Sequence, residues 1–446
     1  MSKVYRLSLI VSALFFAAAF ALFYYTDLQS LTVWTTNIWD TLASTGNLRE
    51  YYAFSAQNLY GLDHVMVGSD ILIYIPWAIW NLPIWFIQKQ FHMPIIEHAG
   101  MLFYSKCFLL LVFAIILYLA NQISKMLIPA VTDRKKVLFL SSTSFFVLTA
   151  IAYIGQNDVL VIAPFLAGVL ALMKGRKIHF LFWAALSIAF KPFLAFSLIA
   201  LLLLYEKNLL KIIIGTAGGF SIFFAQKLLF IGAPAYTESL EYGPMQGAVT
   251  LLFQYVLGIP RYGASFFMLG LGAVYILAYF TVLKEEKKNQ YTIYFSAAPL
   301  IMLFIFTQYE FYRPIYLVPL LYILFMLKPA YYRTNLILDM VSTVSLMIYY
   351  AFSEFLFYHP GYILGLDINY RTIPSLYDHI IHYAESYYYY IPGSLFVLAM
   401  IMILVINHPS FESQNEVLIR KEEPWLVVFR SLIYAVPLLM SLKIRF

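Results

Sequence analysis

The sequence predicts an all-α, polytopic membrane protein of about 11–13 transmembrane helices, each needing about 20 apolar residues to cross a bilayer. Three observations carry that expectation. Of the 446 residues, 62% are hydrophobic and only 12% charged, which is more apolar surface than a soluble chain of this length could hide. Apolar runs recur along the whole chain, broken by short polar turns. Lys and Arg fall in small clusters between those runs, so the net charge of +6 marks loop orientation and argues against a nucleic-acid surface.

The elements follow in order. The opening "MSKVYRLSLIVSALFFAAAFALFYY" is basic and then apolar, as in a signal peptide, but no small-residue cleavage site follows. Residues 7–25 therefore read as an uncleaved first helix with a cytoplasmic N-terminus. Basic clusters at Lys3/Arg6, Lys125 with Arg134–Lys136, Lys174–Lys177, Lys207/Lys211, Lys284–Gln290 and Lys328/Arg333 are expected in the cytoplasm, with Arg420 and Lys421 as a seventh. With these inside, spans over 103–122, 137–153, 158–173, 208–230, 264–284, 291–306, 313–328, 335–352, 393–407 and 424–442 alternate without conflict. The lone Cys107 lies in an apolar run and excludes an internal disulfide. There are no internal repeats or heptads.

Two segments break the count. Ile71–Gln88 is apolar enough to cross, but a full crossing would carry Arg134–Lys136 outside. Its Trp77, Trp80 and Trp85 suit a re-entrant or outer interfacial placement. The stretch from His179 to Lys207 is flanked by basic residues at both ends, so the chain must turn at Lys191-Pro192 and form a short hairpin tipped by a lysine. Proline removes a backbone donor there and disfavours helix at the residue before it.

Sorted by this orientation, the conspicuous polar residues gather on the outer side: Asp27, Asp40, Gln156, Asn157, Asp158, Lys191, Gln308, Glu310 and Arg313. Charge near hydrocarbon is costly unless paired or wet, so five segments converging on one boundary point to a functional cavity. Plainer readings exist for most of them. Asp27 suits an interfacial residue and Asp40 a solvated loop carboxylate. Asn157 and Asp158 are favoured helix caps. Glu310 and Arg313, three apart, suit a local ion pair. Lys191 has the least structural use in lipid.

Three stretches resemble the GT-C superfamily of membrane glycosyltransferases, in its bacterial polyprenyl-phosphate-mannose-dependent branch. They are the Thr-Asp at the end of helix one followed by "TTNIWDTLASTGNLREYYAF" and "IYIPW", then "GQNDVLVIAPFLAGVLALMKGRKIHFLFWAALSIAFKPFLAF", and finally "FTQYEFYRPIYLVPLL". The middle stretch is the most specific, and the match runs from about residue 7 to residue 328. The resemblance implies one integral membrane domain over 1–446, with a catalytic core at 1–330. The C-terminal helices at 331–446 and the outer loop 353–392, with its His359, Arg371, His379 and His382, would be variable.

It also implies transfer of a hexose, in that branch mannose, from a polyprenyl-phosphate carrier to a glycolipid or glycan acceptor in the cell envelope. The sequence departs from an acidic pair directly after helix one, since Leu28 and Gln29 follow Asp27. That leaves the base between Asp27 and Asp40, and the helix exit favours Asp27. Lys191 and Arg313 suit the departing phosphate, while Gln156, Asn157 and Asp158 suit sugar hydroxyls. Gln308 and Glu310 belong to the same substrate-binding set.

Trp34, Trp39, Tyr51 and Tyr52 would anchor the chain at the interface or stack on a sugar. No cofactor is implied. His92 and His98 around Glu97 have the wrong spacing for one helical face, and only Asp27 with Asp40 or Asp158 offers carboxylates for a divalent cation. The alternatives are a lipid-linked oligosaccharide flippase or transporter, in which inverted repeats are common, and a polysaccharide polymerase or ligase with a large late outer loop.

Overall fold

The computed structural model describes residues 3–24, 26–58, 67–93, 95, 98–242, 252, 256–259, 262–307, 312–352, 361–362, 390–411, 424–433 and 435. Gln308, Glu310, Glu97, Arg420, Lys421 and the four named residues of the late loop lie outside them. Helix dominates what is described, with two small antiparallel ribbons: Phe23–Tyr24 with Gly361–Tyr362, and Val256–Ile259 with Tyr262–Ser265.

Among the described residues four helices are long and apolar enough to cross a membrane: α1 (Lys3–Leu22), α6 (Ala99–Leu127), α12 (Leu209–Phe230) and the helix Lys288–Phe306. Two bent pairs raise this to six if each is one span. This is the make-up of a membrane-spanning protein. Leu7, Ile10 and Leu14 on α1, Leu111 and Ile115 on α6, and Ile213, Ile214 and Leu228 on α12 are exposed, as lipid-facing side chains would be. Helix Lys288–Phe306 and α9 (Asp158–Met173) are instead apolar around most of their circumference and mostly buried, which places them at the centre.

In the first bent pair, Ile71–Trp80 (a 3₁₀ turn leading into α4, Ile75–Trp80) and α5 (Leu82–Phe91) meet at 67° across Asn81. Asn81 is fully buried and donates to Thr35 Oγ1 at 2.8 Å and Ser105 Oγ at 3.0 Å, so the bend is anchored to α2 (Thr26–Thr45) and α6. A bend of this kind fits a broken span as well as a re-entrant segment. The second pair is α7 (Val131–Ser142) followed by α8 (Phe145–Val147) and a π-helical turn, Leu148–Ile154, bent by 43°. The turn closes at Gly155 with φ +78°. A Cβ there would lie 3.3 Å from Leu28 Cδ1 as well as in a disfavoured conformation, so only glycine lets the chain stop and reverse into α9 against α2.

The hairpin forms as its sequence requires. α10 (Lys177–Phe190) ends at Lys191, extended at φ −149°, ψ 122°, and Pro192 opens a 3₁₀ turn leading into α11 (Ala195–Tyr205). At about 1.5 Å per residue α10 rises about 21 Å and α11 about 17 Å, both short of the hydrocarbon thickness.

Candidate functional site

Five segments meet at one end of the bundle. The first residues of α2 bring Asp27, and the turn after the π-helical segment brings Gln156, whose Nε2 donates to Asp27 Oδ2. Asp158 opens α9 and is almost fully buried. It accepts a hydrogen bond from the Tyr316 hydroxyl and lies 4.0 Å from Lys191 Nζ at the hairpin tip. The capping role open to Asn157 is not realised, since its side chain makes no cap bond to α9 although it is buried.

Lys191, Asp158, Phe190, Pro192 and Phe193 line a cleft together with Gly68, Ser69, Asp70, Phe223 and Arg313. Arg313 starts a short 3₁₀ turn, Arg313–Leu317, with Pro314 pre-setting its backbone, and α-helix resumes only over Leu320–Leu327, so the expected span 313–328 is not one helix: Pro314 and Pro319 each lack the backbone donor a continuous helix needs. The cleft is small, about 30 Å³. Lys191 lies within electrostatic reach of Asp158, Asp27, Asp70 and Arg313, so three carboxylates and two cations share a poorly solvated space. Such a set can accept a proton at one point and hold an anion at another.

Asp70, Lys227 and Tyr236 extend the cluster, and none of the three was selected from the sequence. Lys227 Nζ lies 3.1 Å from Asp70 Oδ2, and the Tyr236 hydroxyl donates to Oδ1 at 2.8 Å. Burial and the adjoining carboxylate push the Tyr236 phenol well above its ordinary value, which keeps it a neutral donor. Signals for two of them were present. Lys227 interrupts an apolar helix in "FFAQKLLF", the same anomaly that marked Lys191, and Asp70 stands directly before an apolar entry segment.

Asp40 does not join the cluster. It sits 13 residues after Asp27 on α2, about 20 Å along the helix axis. There Lys89 Nζ contacts Oδ1 at 2.8 Å and Trp85 Nε1 donates to it at 2.7 Å, so the carboxylate fastens α5 to α2. It therefore does not pair with Asp27 around a cation. No group of three His, Cys, Asp or Glu side chains suited to a metal occurs among the described residues.

The aromatic set is not a platform either. On α3 (Tyr51–Gln57), Tyr51 and Tyr52 are fully buried, donating to Trp34 O and Ser69 O, and Trp39 Nε1 donates to Ala78 O. These rings pack the segment that carries Asp70 against α2. The interfacial and sugar-stacking readings of Tyr51 and Tyr52 both fail on burial, because an aromatic pair in "NLREYYAF" does not tell by itself which side faces the core.

Compared with protein families, curated proteins and solved structures, the chain matches none of them.

Proposed function

We propose that the chain is a membrane hexosyltransferase that takes its sugar, mannose by the resemblance of its motifs, from a polyprenyl-phosphate carrier and passes it to a glycolipid or glycan hydroxyl on the extracytoplasmic side, within a bundle of about 11–13 membrane-crossing or re-entrant helices. The observation that carries the reading is the meeting of Asp27 and Gln156 with Lys191, Asp158 and Arg313 at one end of the bundle. These residues lie 286 positions apart at the extremes (313 − 27), in the three stretches that resemble that superfamily.

In this reading the acceptor oxygen attacks the anomeric carbon as its bond to the phosphate oxygen breaks. Asp27, oriented by Gln156, takes the acceptor proton. The leaving polyprenyl phosphate carries away the bonding electrons, and Lys191 and Arg313 balance its charge in a space that water screens poorly. Asp158 is held by Tyr316 and sets the lysine's position.

The test is sugar transfer in liposomes holding radiolabelled undecaprenyl- or decaprenyl-phosphate mannose, followed by extraction of the glycolipid product. Asp27→Asn should leave extractable protein unchanged and lower turnover by about two to four orders of magnitude, the contribution of a positioned base. Asp40→Asn should retain most turnover. Movement of intact donor across the bilayer without glycosidic product would replace this reading with a flippase.

A further inference from the structure

The least expected side chain in the apolar helices is Lys106. It stands in "MLFYSKCFLLLVF", eight residues into the 29-residue α6, and is fully buried. Its ammonium donates to three backbone carbonyls: Phe20 O at 3.0 Å, Phe23 O and Ala152 O. The three N–H groups of a lysine are thereby matched. The Phe20 ring lies 4.6 Å from the same nitrogen.

Those carbonyls have a common property. Phe20 stands in the last turn of α1, Phe23 directly after that helix at the start of the ribbon with Gly361–Tyr362, and Ala152 near the end of the π-helical turn. The last carbonyls of a helix have no intrahelical partner and form the negative end of its dipole. Lys106 thus ties off two helix ends at once, and the Phe23 and Tyr153 rings stack beside it, 4.9 Å apart and 7° from parallel. Four residues after Phe23 comes Asp27, and four after Ala152 comes Gln156. Both arms of the Asp27–Gln156 hydrogen bond therefore leave from a point that one amine holds.

We infer that Lys106 is a positioning residue: by joining the ends of α1 and the π-helical turn it sets the spacing of Asp27 and Gln156. The consequence for turnover rests on the transferase reading, whereas the consequence for spacing does not. Leucine or methionine at this place would fill the volume but leave three buried acceptors facing apolar side chains, so the two ends would separate to find water.

The experiment has two arms in a Cys107→Ser background. In the first, Phe23→Cys with Tyr153→Cys is treated in detergent with a short bis-maleimide. The pair should cross-link efficiently with Lys106 present and several-fold less with Lys106→Met. Lys106→Gln, which keeps two of the donors, should fall between and serves where the Met variant is not extractable. Ser105→Ala is the control, because Ser105 bonds Thr32, Trp77 and Asn81 on α6's other contacts, so its loss should lower stability without changing the cross-link.

In the second arm, Lys106→Met should lower kcat of mannosyl transfer by about 100-fold with little change in donor KM, as expected when reacting groups shift by about 1 Å. Undiminished cross-linking in both Lys106 variants overturns the inference whatever the activity. If the parent protein transfers no sugar, the transferase reading fails and the first arm still decides the role of Lys106.

Discussion

Lys191 shows how much one side chain can mean in an apolar setting. Its tip position follows from proline chemistry, but its partners come from elsewhere in the chain: Asp158 at 4.0 Å and the neighbouring Arg313. A purely structural lysine would be dispensable, and Lys191→Met would then be nearly silent or mildly stabilising, since it removes a charge from apolar surroundings. A phosphate ligand gives a different outcome. Lys191→Met should weaken donor binding by about 1.5–3 kcal/mol, the worth of a hydrogen bond to a charged group, and Lys191→Arg should restore part of it. Titrating donor and acceptor separately against both variants checks this, with the change confined mainly to the donor. Asp27, Gln156, Asp158, Lys191 and Arg313 stood out as polar groups between apolar runs and do meet. Asp70, Lys106 and Lys227 carried comparable signals, but nothing in a sequence says which buried charge faces a cleft and which faces three carbonyls.

At the scale of elements, the turn from the π-helical segment into α9 governs the site. Gly155 has φ +78°, and the space its Cβ would need is held by Leu28, the residue after Asp27. Gly155→Ala should cost about 1–2 kcal/mol from the left-handed conformation alone. It should also push α2 away at Leu28, so turnover should fall further than in a stability-matched core variant. Melting in detergent and transfer kinetics, measured on the same preparations, separate the two effects. The hairpin is the converse case, an element whose boundaries were legible. A basic cluster at each end and a Lys-Pro between them leave one way to turn. The π-helical turn was not legible, because the apolar run "FFVLTAIAYI" is compatible with any helical pitch.

For the whole molecule, the C-terminal helices are bolted to the core more firmly than their generic sequence suggests. Arg430, on the helix Pro424–Ile433, lies 2.9 Å from Asp339 Oδ2 and also donates to Thr143 O at 2.7 Å, Leu140 O at 3.1 Å and the Tyr322 hydroxyl at 2.6 Å. Both charges are buried, and each is surrounded by hydrogen-bond partners. Arg430→Met should therefore destabilise by about 3–5 kcal/mol, because it leaves Asp339 charged and uncompensated. Adding Asp339→Leu should recover part of that loss, and thermal unfolding in detergent reads both. Orientation is the other property of the whole molecule. Lys135→Cys, in a Cys107→Ser background, should react with a membrane-impermeant maleimide only after permeabilisation, since its basic cluster is expected inside. Labelling of intact cells would reverse the topology and put the Asp27 cluster on the cytoplasmic side.

By itself the sequence determined that this is a helical membrane protein, where most of its apolar helices run, and that the Lys191-Pro192 turn exists, but not that the stretch 313–328 divides into a 3₁₀ turn and the short helix Leu320–Leu327. Hydrophobicity, charge clusters and proline act locally, and a bilayer turns local apolarity directly into architecture. Only the tertiary structure decided that Asp27 joins Gln156 while Asp40 is spent on Lys89 and Trp85, that Asp70 lines the cleft, and that Tyr51 and Tyr52 are core. Those outcomes depend on which helix faces pack together, and a side chain's partner across about 130 residues of chain leaves no periodicity in either segment to read.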